Sequence, residues 1–152
     1  MAQGDFRYNS WGRTRGPKNI AGPAGAPVAL LANTNNLLGS ASGVKTEGYA
    51  TENQRYLHVL VTDAHDGAPA AVTVFGYCHA FERWFEVPET NLAAANTAAT
   101  AASITVADSG VAVTSQVPSA REYRVYHIVG IDRVAFVGAD ANVDVFAACS
   151  TF

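Results

Sequence analysis

This chain is short of charge. Asp, Glu, Lys and Arg make up 15% of its 152 residues, against roughly 25% in ordinary globular domains. A surface so poor in charge suits contact with other subunits. Cysteine is scarcer still: Cys78 and Cys149 are the whole supply, too few for a disulfide framework. Both stand in apolar segments and read as reduced, buried small residues. No run approaches the ~18 consecutive apolar residues of a membrane helix. The opening Met1–Arg7 leads into no apolar signal-peptide core, and no N-x-[ST] sequon occurs. The expectation is a protein made in a cytoplasm and not exported. Apolar residues reach 49%, too many for intrinsic disorder. A chain of this length is one domain with room for a real core.

Catalytic signatures are also missing. There is no G-x-S-x-G, no P-loop and no paired-glycine dinucleotide motif. His79 and Glu82 are three apart, and on a strand that spacing puts them on opposite faces. A zinc site would want more ligands. Cys78 and His79 are strand neighbours facing away from each other, so they cannot act as nucleophile and base. Asp63, His65 and Asp66 share one turn, but a Ca²⁺ site takes about six to eight oxygen ligands. His58 and His127 sit inside strands and read as structural. The chain is therefore expected to be no enzyme and to need no metal or cofactor.

What is present falls into two parts. Residues 1–43 are rich in Gly, Pro, Asn, Ser and Ala, and read as an extended N-terminal arm. Its prolines remove backbone donors and favour extended chain. Two collagen-like triplets occur there, but the period then fails, so a triple helix is rejected. Phe6, Tyr8 and Trp11 offer buried area to a partner. Residues 1–18 hold Arg7, Arg13, Arg15 and Lys18 against Asp5, a net of +3, while the remaining residues carry −6. A basic arm on an acidic body suits an acidic protein surface or nucleic acid. These seven aromatic and cationic residues are the candidate partner-binding set. Val28–Leu31 and Leu37–Leu38 are short apolar anchors further along the arm.

Residues 44–152 form the body, and they alternate with period two. Tyr56–Thr62 puts Leu57, Val59 and Val61 on one face. The Asp66-Gly67 turn then signals a hairpin. Ala71–His79 sets Val72, Val74, Gly76 and Cys78 against Thr73, Phe75, Tyr77 and His79. In Phe81–Val87, Phe81, Arg83, Phe85 and Val87 oppose Glu82, Trp84 and Glu86. Thr90–Ser103 is an Ala-rich surface excursion. Ile104–Val106 and Val111–Val113 flank Asp108-Ser109-Gly110 as a hairpin. Arg121–Ile131 reads as the longest strand, with Tyr123, Val125, His127, Val129 and Ile131 on one face. Arg133–Val137 and Val143–Cys149 follow. The inward set is predicted to be Leu57, Val59, Val61, Val72, Val74, Val125, Val129 and Val145. About eight short strands without helical connectors argue an all-β, antiparallel β-sandwich, jelly-roll-like in arrangement.

In layout the chain resembles the small capsid decoration (cement) proteins of tailed bacteriophages. The matching features are the arm over residues 1–43, the Ala/Val/Thr-rich sandwich body, and an ending built as a strand pair, Tyr126–Val137 and Val143–Phe152. The resemblance implies a structural virion protein, a homotrimer on the capsid surface that clamps the major capsid protein. It implies no cofactor, no catalysis and no membrane partner. It places the chain on the virion, and in the host cytoplasm during assembly. Nucleic acid is not an expected partner. The alternative is a carbohydrate-binding jelly-roll module, with Trp84 and Tyr77 as the sugar platform. Trp84, between Glu82 and Glu86, is the candidate expected to be most exposed.

Overall fold

The structure, a computed structural model, describes residues 18–20, 26–32, 37, 48–64, 67, 69–87, 103–107 and 119–151. Nine strands run through them: β1 (Lys18–Asn19), β2 (Tyr49–Ala50), β3 (Tyr56–Asp63), β4 (Ala70–Cys78), β5 (Arg83–Glu86), β6 (Ser103–Val106), β7 (Ala120–His127), β8 (Arg133–Val137) and β9 (Val143–Ser150). They form two antiparallel sheets. One has the order β1-β9-β3-β7; the other has β2-β8-β4-β5, with β6 also on β4. Strand β4 is long enough to serve both, holding β6 along Ala70–Thr73 and β5 along Phe75–Cys78. The chain is thus an all-β, antiparallel β-sandwich, the class that the period-two alternation predicts.

The two sheets share one core. Leu57, Val59 and Val61 of β3 and Val145 of β9 meet Val72 and Val74 of β4, Ile104 of β6 and Phe136 of β8. All eight are fully buried. The alternation in β3 is strict, each buried residue following a half-buried one. Each such side chain gains roughly 1.5–3 kcal/mol from leaving water.

The pairing is nested. β1 pairs with β9, β2 with β8, β3 with β7 and β4 with β6. Two sequence expectations give way to it. The Asp66-Gly67 turn does not close a hairpin, because β3 and β4 lie in opposite sheets. The final strands are not a pair either: β8 belongs to one sheet and β9 to the other. Crossing between sheets lets consecutive strands turn their apolar faces toward one core.

The register of β7 corrects a third. Val125 is 37% exposed and Val129 is 60% exposed, whereas Tyr126 and Ile128 are buried. Strand β7 ends at His127, and the chain reverses through Gly130 at φ 81°. The Ile131 amide donates to the Ile128 carbonyl at 3.0 Å. The turn breaks the alternation that Arg121–Ile131 carries on paper, so Ile128 and Ile131 both face inward although three positions apart. Along β7, Glu122 and Arg124 lie opposite Val61 and Val59. Their 3.2 Å ion pair is half-exposed at the sheet edge.

The described part of residues 1–43 is stitched to the body. Lys18 and Asn19 pair with Cys149 and Ala148. The Val28 amide donates to the Val145 carbonyl at 2.7 Å, and the Leu31 amide to the Phe136 carbonyl at 2.9 Å. Residues 26–32 therefore run from β9 across to β8 and tie one sheet to the other. Residues 90–102 and 108–113 lie outside the described residues, and with them the Ala-rich excursion and the hairpin expected at Asp108-Ser109-Gly110.

A core leucine and a surface valine test the observed register experimentally. Leu57→Ala should destabilise the protein by about 2–5 kcal/mol. Val129→Ala should change stability by less than about 0.5 kcal/mol. Urea unfolding of the two variants decides it; a large loss at Val129 would restore the register read from the sequence.

Candidate interaction surface

The two sheets treat their outer faces differently. On the five-stranded sheet, Phe75, Tyr77, Trp84 and Ala135 form a second apolar cluster, covered by Leu37 and flanked by Leu31 and Val137. Trp84 stands opposite Tyr77, with ring centroids 5.5 Å apart. Trp84 is 5% exposed and Tyr77 2%. The exposure expected of Trp84, as one of the two residues of a sugar platform, is thus not found: Leu37 and Leu31, upstream in the chain, pack with these rings.

The four-stranded sheet keeps an apolar outer face in the open. Register places its outward side chains in four rows across β9, β3 and β7. Asp144, Thr62 and Arg121 make the first, and Phe146, Leu60 and Tyr123 the second. Ala148, His58 and Val125 make the third, and Ser150, Tyr56 and His127 the fourth. Tyr123 is 55% exposed. Leu60 and Phe146 are half-buried between their neighbours, while Arg121 and Asp144 at the end are exposed. Apolar and aromatic residues make up the second row and half of the third and fourth, and the Asp and Arg of this face sit in one terminal row.

His58 organises the polar centre of the face. Its Nδ1 lies 2.6 Å from the Tyr123 hydroxyl, and its Nε2 lies 2.7 Å from the Ser150 hydroxyl. A neutral imidazole donates at one nitrogen and accepts at the other, and a hydroxyl can answer either. The Tyr123 ring stacks on His58 at 6.2 Å. Tyr56 meets His127 edge-on at 5.7 Å. Partial burial lowers the His58 pKa below 6.5.

The other residues singled out in the sequence separate. Phe6, Arg7, Tyr8, Trp11, Arg13 and Arg15 lie outside the described residues. Lys18 is engaged within the molecule, donating to both carboxylate oxygens of Glu52 at 2.5 and 2.6 Å. As an exposed pair it contributes little stability, but it removes Lys18 from the cations free to meet a partner. Asp63 is buried on the inward side of β3; His65 and Asp66 lie outside the described residues. His79 is exposed, its amide donating to Asp132 at 2.6 Å. Cys78 and Cys149 are free thiols on different sheets. Burial pushes the Cys149 thiol up to about 12, which leaves it a poor nucleophile.

Sequence reasoning gave no weight to the exposed face itself. The signal was present in Leu60 and Phe146, which alternate with core residues along β3 and β9. No family model, curated protein or solved structure matches the chain.

The depressed His58 pKa fixes a pH dependence. Above pH 6.5 the ring is neutral in folded and unfolded chains alike. Below it the unfolded chain takes up a proton that the folded one resists, so folding stability falls as pH drops. Urea midpoints measured from about pH 7.5 to about 5.5 should decline more steeply for the native chain than for His58→Gln. Equal slopes would show that His58 does not carry the effect.

Proposed function

We propose that this is a structural virion protein, a capsid decoration protein that binds the exterior of a shell and stabilises contacts between major capsid proteins. It works by binding rather than by turnover. The observation that carries the reading is the attachment of the arm. Lys18, Asn19 and Ile20 are fixed along β9, the Ile20 amide donating to Ala147 at 3.1 Å. Residues 1–17, with three aromatics and three arginines, are therefore tethered at a defined strand of a folded body. A tethered apolar and cationic segment contacts a neighbour at high effective concentration. Anything that binds only the assembled shell stabilises that shell by mass action. The nested strand pairing supports a jelly-roll form of the sandwich, two sheets rolled from one long antiparallel ribbon.

The attachment also sets where the chain can be cut. Removing residues 1–20 would take away β1 and Ile20, which packs against the core. Removing residues 1–17 leaves both. That truncation should fold normally and lose binding to purified shells. Trp11→Ala should weaken binding at every salt concentration, since apolar burial is not screened. Neutralising Arg13 and Arg15 should weaken it only at low salt, because the Debye length shrinks to about 3 Å near 1 M. Shell-binding titrations across ionic strength measure all three. A 1–17 deletion that binds as well as the full chain would overturn the role given to the arm.

A further inference from the structure

We propose that the outer face of the four-stranded sheet binds a second copy of this chain, through a two-fold axis running along β3. The register supplies the argument. Strand β3 lies in the middle, with β9 on one side and β7 on the other. A two-fold along β3 exchanges the positions of β9 and β7 between copies. Each outward residue of β9 then sits over the β7 residue of the same row in the other copy. In the first row, Asp144 of each copy meets Arg121 of the other, twice. In the second, Phe146 meets Tyr123, an aromatic pair, and Leu60 meets its own counterpart on the axis. In the third, Ala148 meets Val125.

The face is self-complementary in charge as well as in shape class. Its one charged row holds one acid and one base, on opposite sides of the axis. A two-fold running across the strands instead would reverse the order of the rows and set Asp144 over Ser150 and Arg121 over His127, leaving the acid and the base without opposite charges. Face-to-face sheets pack with strands within about 30° of each other, a rotation that a flexible arginine spans. An isologous contact of this kind closes at two copies and leaves no open site. Two copies, not the three that the resemblance implies, follow from this face.

Area sets the strength. Three strands of eight residues cover a flat rectangle of roughly 27 by 14 Å, or roughly 400 Å². A standard interface buries about 800 Å² per partner. The pair should therefore be weak, with dissociation in roughly the micromolar range or above.

Sedimentation equilibrium of the full chain, from about 10 µM to about 1 mM, tests this at the expected strength. The native chain should pass from monomer to dimer across that range. Arg121→Asp alone, or Asp144→Arg alone, sets like charges opposite each other and should raise the dissociation constant about tenfold or more. The double variant Arg121→Asp/Asp144→Arg should return it to within about threefold of native, because the two-fold restores opposite charges. Both residues are exposed, so circular dichroism of every variant should match the native chain. A monomer throughout, which would leave the face to another partner, overturns the proposal. So does a trimer, or a double variant no better than the singles. No shell enters the measurement, so its outcome is independent of the decoration role.

Discussion

The sandwich depends on β3 being paired along both edges. All eight of its residues have partners in β9 and in β7. A strand held on two sides cannot slip by one residue without moving both neighbours. A slip would also carry Leu57, Val59 and Val61 from the core to the outer face. The inward parity of β3 therefore dictates that of β7 and β9, and hence what stands outside. His58, Leu60, Tyr123 and Phe146 face outward because Leu57, Val59 and Val61 cannot.

This explains which parts of the fold were legible in the sequence. Strand β3 alternates over its whole length and is bounded by turn residues, so its class and its face could be read. In β7 the inward positions are Ala120, Glu122, Arg124 and Tyr126, while the outward ones include Tyr123 and Val125. Apolar character points the wrong way there. Tertiary pairing with β3 overrides it, and the edge position lets Glu122 and Arg124 keep partial access to water. The turn at Gly130 adds to the error, since alternation counted through a reversal changes parity. The Asp66-Gly67 hairpin signal failed for a related reason: a turn residue cannot say whether the chain returns to the same sheet, and β3 and β4 lie in different ones.

The candidate site was hidden by a different cause. Trp84 read as exposed because Glu82 and Glu86 flank it on its face. Its burial comes from Leu37 and Leu31, more than forty positions upstream, in a stretch that lacks any periodicity. Coverage by irregular chain leaves no mark on the strand it covers. Lys18 shows the converse. It read as a free cation because its acidic partner, Glu52, lies 34 positions away, in a turn where Glu52 and Asn53 adopt positive φ.

The two outer faces pose one physical problem with two outcomes. Strands that are apolar on both sides cannot be satisfied by a two-layer sandwich alone, because one apolar face of each sheet is left against water. On the five-stranded sheet, Phe75, Tyr77 and Trp84 are covered by a third layer drawn from the chain's own upstream residues. On the four-stranded sheet, Leu60, Phe146, Tyr123 and Val125 present the same kind of surface, and Tyr123 and Val125 remain open to solvent. Burying Leu60 and Phe146 more fully would add to stability in proportion to the area removed from water. A third layer on this side is therefore favourable whoever supplies it. The terminal row of Asp144 and Arg121 then decides among partners, since apolar rows accept many surfaces but a paired acid and base accept only one that reverses their order.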